Sequence, residues 1–365
     1  MPARRTQPRF DAAAMDGYAL RSVDASEIGS VLTVIGQAAA GHAFIGILGE
    51  GEAVRIFTGA PVPEGADTIL IQEDAEVLEG GKIRTTFEVT AGRHIRPRGQ
   101  DFAQGETVLQ TGRELGFTDL TLAAAMNHAK LAVYRRPRIA ILATGDELLP
   151  PGSTPNPAQI IASNTFGVAA LARQAGADIL DLGIIADDDT LIRAAIGKAV
   201  AARVDVLVTL GGAAVGDHDL VQAALKAEGM QLDFWRIAMR PGKPLMVGAI
   251  GAMQVLGLPG NPVASLVCSL LFLEPLIRRI ARRAPVHRTA TVRTATPLKA
   301  NDHRQDYLRA RLRFDDSGES VAEAYAKQDS SMMNILAHSD VLIIRPPHAP
   351  EASAGTECPV IKLRT

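Results

Sequence analysis

The sequence predicts a multidomain protein of α/β and β parts: a central parallel α/β domain flanked by an N-terminal β domain and a small, barrel-like C-terminal β domain. Three observations lead there. A chain of 365 residues exceeds what one hydrophobic core usually organises. Short strands between glycine-rich turns give way at Arg138 to buried-type strands alternating with amphipathic helices. After Pro285, strand-like segments separated by polar turns return.

Taken in order, residues 31–35, 53–57 and 68–71 read as strands of a β domain at 21–103, because Val, Ile and Thr are concentrated between turn residues. Residues 118–127 have helical composition, with Thr118 as the expected cap and Asp119 in the first turn, and this helix is expected to bridge domains. Within 138–285, apolar strands at 139–143, 179–185 and 204–209 alternate with helices at 165–174 and 191–202. That alternation predicts a parallel sheet. A last helix is expected to be capped by Asn261, entered through Pro262 and closed by Arg278, Arg279, Arg282 and Arg283, whose charges suit a helix C-terminus. Segments 289–295 and 307–314 open the C-terminal domain at 286–365, which is expected to finish in a proline-rich tail.

Composition narrows the function classes. The formal net charge is -2, with 38 basic against 40 acidic residues, so no broad positive field exists to hold a nucleic-acid backbone. Nucleic acid is not an expected partner. Two distant cysteines, Cys268 and Cys358, lack the density of a secreted disulfide scaffold and fit a reducing cytoplasm. The first twenty residues have no apolar signal core, and the longest apolar run, 263–273, is too short to span a bilayer. No membrane association is expected.

Three loops leave the predicted strands at their carboxyl ends: Thr144-Gly145-Asp146-Glu147, Ala186-Asp187-Asp188-Asp189, and a glycine-rich stretch at 210–219. In an open parallel sheet these ends share the edge where ligands bind. The third loop is expected to open a helix near Asp217, offering backbone N–H groups to phosphate. It matches neither the phosphate-loop pattern nor the dinucleotide fingerprint. Carboxylates in these loops, followed by Arg236, Arg240 and Lys243, suit metal-assisted chemistry on a phosphorylated substrate. Each residue also has a plainer role open to it. Asp187 to Asp189 would cap the following helix, the arginines would be a solvated face, and His218 would be an ordinary surface histidine without zinc-type spacing.

The N-terminal domain adds turn sequences with charged or hydroxyl side chains: Met15-Asp16-Gly17-Tyr18, Phe57-Thr58-Gly59-Ala60-Pro61, and Ile95-Arg96-Pro97-Arg98-Gly99-Gln100-Asp101. Together with the Thr144–Glu147 loop and Leu258-Pro259-Gly260-Asn261-Pro262, these segments closely resemble the molybdopterin molybdenumtransferase family, which includes the C-terminal domain of gephyrin. The resemblance runs from about Phe10 into the C-terminal domain and rests on six motifs in the family's order. It implies a Mg²⁺-dependent reaction in which adenylylated molybdopterin and molybdate give molybdenum cofactor and AMP. It makes the central domain a molybdopterin-binding domain. The matching positions are Asp16, Thr58, Arg96, Asp101, Glu147, Asp187, Asp219, Arg236, Arg240, Pro259 and Pro262. In the roles so implied, Glu147, Asp187 and Asp219 take the metal and pterin side, and Gly211, Gly212 and Gly216 take phosphate. Arg236 and Arg240 attract molybdate, and Lys243 is a further substrate-binding residue. A cytoplasmic homodimer is implied, with molybdopterin adenylyltransferase and apo-molybdoenzymes as partners.

This chain departs from the family pattern at several points. Only a short polar leader precedes Met15, so 1–20 with 104–137 are expected as the remnant of the helical linking domain. Ala214 and Leu210 stand where hydroxyl residues are common, Arg236 and Arg240 where lysines are common, and Ala162 where aspartate is common. Two rival readings follow: a non-catalytic molybdopterin carrier or scaffold, and a molybdopterin adenylyltransferase. The flanking β domains weigh against the second, and retention of the acidic positions weighs against the first.

Overall fold

The structure is a computed structural model that describes residues 1–211, 220–315 and 317–364. The chain divides into two compact units, Met1–Ala132 and Val133–Thr365.

The first unit is built on a six-stranded curled sheet in the order Thr68–Ile71, Gly17–Leu20, Glu52–Ile56, Val31–Ala38, Lys82–Thr85 and Ala75–Leu78. Gly17–Leu20 is buried along its whole length, with Ala19, Val54, Ile56 and Ile69 packed on one side and Tyr18, Leu20, Ala53 and Leu70 on the other. A short antiparallel ribbon pairs Ala12 with Arg96 and Ala13 with Ile95. The expected helix runs Phe117–Ala125, and its N-cap is Gly116 rather than Thr118. Asp119 decides this: its Oδ2 accepts from the Gly116 N–H at 2.9 Å, and Arg113 Nε donates to its Oδ1 at 2.7 Å. Asp119, three places past Gly116, fixes the cap there and leaves Thr118, two places past it, inside the first turn. Ala123 and Met126 pack on Ala3, Phe102 and Leu109.

The second unit opens with a doubly wound sheet. Its strand order is Asp178–Ile185, Arg138–Thr144, Val206–Leu210, Met253–Leu258, Met246–Ile250 and Gln231–Trp235. The first four strands are parallel, as expected, and the last two are an antiparallel edge that periodicity did not indicate. Gln231–Trp235 is almost wholly exposed, so it carries no apolar alternation to read. Helices Asn164–Gln174 and Pro262–Cys268 cover one face of the sheet, and Asp189–Ala201 with Leu220–Ala227 cover the other. The helix opening expected near Asp217 falls outside the described residues, and Leu220–Ala227 is the described helix. Asn261 occupies the N-cap before Pro262, yet its side chain donates to Ser330 Oγ at 2.8 Å instead of capping. That helix continues through a π-helical stretch, Ser269–Leu273, into Glu274–Ile280, with Arg278 and Arg279 in its last turn.

The C-terminal part closes into a five-stranded barrel: Gln305–Phe314, Ser320–Ala324, Thr289–Thr294, Glu357–Lys362, Val341–Arg345 and back to Gln305–Phe314. Closure leaves no unpaired edge. The expected proline-rich tail therefore contains two strands, with Pro346, Pro347 and Pro350 confined to their connection. Met239–Arg240 adds a parallel pairing onto Gln305 and Asp306. Tyr307, Leu336, Leu342 and Ile361 of this part join the core beneath one face of the α/β sheet. Among the described residues, no helix is long and apolar enough to cross a membrane.

Candidate active site

Strands Arg138–Thr144 and Val206–Leu210 lie side by side, but the helices that follow them pack on opposite faces of the sheet. This is a topological switch point, where the crevice beyond the strand ends accepts ligands. A cavity of about 850 Å³ opens there, within the range of small-molecule and cofactor sites. The loop after the first strand supplies Thr144, Gly145 and Glu147, and the loop after Asp178–Ile185 supplies Asp187. Gly211 ends the neighbouring strand, and Pro259 to Pro262 face it from the loop after Met253–Leu258. Of the expected site residues, Glu147, Asp187, Gly211, Pro259 and Pro262 are thus brought together.

The three aspartates of the second loop separate in role. Asp188 caps Asp189–Ala201, its Oδ1 accepting from the Leu191 N–H at 2.9 Å, which leaves Asp187 free of that duty. The Asp187 N–H donates to Asp146 Oδ1 at 3.1 Å, tying the two acidic loops together. Burial lifts the Asp187 carboxyl above the ordinary aspartate range, and the charges of Asp146 and Glu147 push it the same way. This wall of the cavity is a site of unbalanced negative charge. Opposite charge delivered by a ligand or metal would relieve it.

Gly211 has φ +94°, and a Cβ there would stand 2.9 Å from the Thr144 carbonyl oxygen. Only glycine lets the two strand ends approach this closely. Thr144 Oγ1 is buried and has no hydrogen-bond partner among the described residues, although Thr144 lines the cavity. Asn164 Nδ2 donates to the Gly260 carbonyl at 2.7 Å and so fixes the proline-flanked loop. Ser331 reaches the cavity from the connection between barrel strands Ser320–Ala324 and Val341–Arg345, held by two bonds to Asp329 Oδ1 at 2.6 and 2.8 Å. Those Ser331 bonds hold the Asp329 carboxyl below its usual value. Sequence reasoning missed Asn164 and Ser331 as lining residues. Thr144 stood inside a named motif, whereas Ser331 carried no local signal.

The three basic residues assigned to substrate do not line this cavity. Arg240 gives Nε to Asp306 Oδ1 at 2.8 Å and Nη2 to Asp306 Oδ2. Arg236 lies over the Trp235 ring, 4.4 Å from its centre, and Lys243 offers its carbonyl to the N–H groups of Ile237 and Leu245. Gly212, Gly216 and Asp219 lie outside the described residues.

Four expected site residues belong to the first unit. Thr58 donates both its N–H and its hydroxyl to Asp16 Oδ1, each at 2.7 Å. Those bonds, with the charge of Arg55, lower the Asp16 carboxyl below the ordinary aspartate range. Arg96 is exposed on the ribbon strand, and Asp101 is exposed with its N–H donated to the Gln7 carbonyl. Among the described residues, no group of three or more His, Cys, Asp or Glu is placed to hold a metal ion. The donor set still fits Mg²⁺, because Glu147 and Asp187 present hard carboxylate oxygens to one cavity, and Mg²⁺ needs few protein ligands beside water and substrate phosphate.

The three family models that match this chain follow the order of its domains. A MoeA N-terminal region model (domain I and II) matches residues 1–127, a probable molybdopterin binding domain matches 140–279, and a MoeA C-terminal region model (domain IV) matches 291–363. The chain is 33% identical over 352 residues to a molybdopterin molybdenumtransferase of Haemophilus influenzae, covering 95% of this chain and 86% of that protein. It is 34% identical to one from Nostoc sp., covering 98% of this chain and 83% of that protein. The crystal structure of a molybdopterin biosynthesis moea protein from Pyrococcus horikosii superposes with a TM-score of 0.84 at 29% identity, over all of this chain and 90% of the other.

Proposed function

The chain belongs to the molybdopterin molybdenumtransferase family, and we propose that it transfers molybdenum from molybdate to adenylylated molybdopterin, giving molybdenum cofactor and AMP. The observation that carries the site assignment is the cavity at the switch point, where Glu147, Asp187 and Gly211 face Pro259 and Pro262. A glycine-ended strand offers backbone donors to phosphate, and two carboxylates on the adjoining wall offer oxygen ligands. In our reading Glu147, Asp187 and Asp219 hold Mg²⁺, which when bound supplies Lewis-acid polarisation of the phosphoanhydride. Gly211, Gly212 and Gly216 receive phosphate. Pro259 and Pro262 shape the opposite wall.

Arg236, Arg240 and Lys243 are assigned to the oxyanion substrate. Arg240 already gives Nε and Nη2 to Asp306, Nη2 also to Asn301 Oδ1 at 3.4 Å, and holds Nη1 3.8 Å from Asp302 Oδ2, so an oxyanion there exchanges with the outer of these partners. Asp16, Thr58, Arg96 and Asp101 are assigned to the same reaction on their correspondence with the family. We place the protein in the cytoplasm as a homodimer, receiving its nucleotide from a molybdopterin adenylyltransferase and passing cofactor to apo-molybdoenzymes.

The test is release of AMP from adenylylated molybdopterin with Mg²⁺, with and without molybdate, alongside reconstitution of a molybdenum enzyme. Molybdate-dependent release with active cofactor is the expected result. Tight binding without turnover would favour a carrier instead.

A further inference from the structure

The first unit contains a second concave site that the reaction assigned above leaves unused. Arg4, Arg5, Arg9 and Arg98, with Gln104 and Asn127, line a cavity of about 440 Å³. Among the described residues, none of the four guanidiniums forms a salt bridge. The Asp11 carboxylate at this edge is taken by the Arg98 backbone N–H at 2.7 Å, not by a guanidinium. Arg5 donates Nη2 to Gln7 Oε1, while its Nε is buried with no partner among the described residues. Four like charges around one cavity repel each other, and among the described residues no carboxylate stands within ion-pair distance of them. The balancing charge has to come from solution.

The backbone holds these arginines in place before any ligand arrives. The Arg4 N–H is bonded to the Met126 carbonyl at 3.1 Å, and the Gln7 N–H to the Phe102 carbonyl at 2.9 Å. Residues 97–100 form a tight turn closed by Gln100 N–H to the Pro97 carbonyl at 3.1 Å, with Gly99 at φ +80°. The Gly99 N–H then bonds the Pro8 carbonyl at 3.0 Å, which sets Arg98 next to the Arg9 segment. Side chains anchored on fixed backbone lose less freedom on binding. Guanidinium forks beside amide groups match the oxygens of a phosphate-like anion.

We infer that this cavity binds a multiply charged tetrahedral oxyanion, as a free inorganic ion or as the phosphate end of a nucleotide. The inference does not rest on molybdenum transfer, and its readout is binding alone. Equilibrium dialysis of the full chain against inorganic phosphate, molybdate and AMP at low salt tests it. Phosphate is expected to bind, and Arg9→Ala/Arg98→Ala to weaken it about tenfold or more, in line with the loss of two charge-assisted contacts. The Lys82→Ala/Arg84→Ala chain, which loses the same charge elsewhere in the first unit, is expected to bind as the parent does. Arg9→Lys/Arg98→Lys is expected to recover part of the affinity, which separates a contact from a folding effect. AMP binding more tightly than phosphate, with the same loss in the alanine pair, identifies a phosphate ester as the ligand. Equal binding of phosphate and molybdate identifies a free oxyanion. Absent binding by the parent, unchanged binding by the alanine pair, or equal loss in the Lys82/Arg84 control would each overturn the inference.

Discussion

Arg240 is clamped by Asp306: the carboxylate takes both Nε and Nη2 of one guanidinium, and Asp306 itself is only 4% exposed. The pairing sits where Met239–Arg240 aligns with the first residues of Gln305–Phe314, so a residue assigned to substrate also joins the α/β sheet to the barrel. Arg240→Ala would leave a buried carboxylate without its partner. A loss of about 2 kcal/mol is expected from removing hydrogen bonds to a charged group, read by denaturant unfolding. Arg240→Lys keeps the charge an oxyanion needs but not the two-pronged grip on Asp306, so activity is expected to return more fully than stability does. Activity as low in the lysine chain as in the alanine chain would remove the oxyanion role.

Asp187 carries the opposite balance. Its carboxyl is raised by burial and by neighbouring Asp146 and Glu147, so ionising it opposes folding rather than favouring it. A carboxyl raised in the folded state contributes stability at low pH, and that contribution is lost as pH rises through its folded value. Asp187→Asn is therefore expected to unfold no earlier than the parent at neutral pH, while AMP release falls by roughly 10²-fold or more, the scale for losing a group that stabilises developing charge. Melting and turnover measured on the same sample decide it. A variant that loses stability along with activity would contradict the charge argument.

Much of this arrangement was legible in the sequence because strand ends in a doubly wound sheet must share an edge. Thr144, Asp187 and Gly211 could be grouped from periodicity before any coordinate was known, and they line one cavity. Caps were less legible, since a cap depends on which carboxylate reaches back. Asp119 selects Gly116 over Thr118, and Asp188 takes the capping role while Asp187 does not. Long-range pairs were not legible at all. Nothing near Arg240 in sequence announces Asp306, and nothing near Ser331 announces the cavity it reaches from a connection between barrel strands. Exposed edge strands such as Gln231–Trp235 were missed for a related reason, because burial pattern is the signal and they have none.

The Asp16–Thr58 pair predicts an acid limit. Bonds from Thr58 hold the Asp16 carboxyl below the ordinary aspartate range, so ionised Asp16 contributes stability at and above that range. The contribution fades as pH falls through the lowered folded value. Thr58→Val removes the hydroxyl bond and keeps the backbone one. Its stability deficit relative to the parent is expected to be present at neutral pH and to shrink under acid conditions, followed by thermal melting across pH 2 to about 7. A deficit independent of pH would show that packing rather than charge is what Thr58 contributes.

Gly211→Ala tests whether the cavity needs its strand ends so close. At φ +94° an alanine is strained, and its Cβ would press on the Thr144 carbonyl oxygen at 2.9 Å. Backbone strain of this kind costs about 1–3 kcal/mol, so melting is expected to fall. The strand can relieve the clash only by moving Gly211 away from Thr144, which also displaces the backbone donors that face the cavity. Binding of AMP to the variant should therefore weaken even under conditions where the fold is intact, and added Mg²⁺ should not restore it. Arrival of full AMP affinity in a folded Gly211→Ala chain would mean that phosphate is held elsewhere, and the assignment of Gly211 to phosphate would fail.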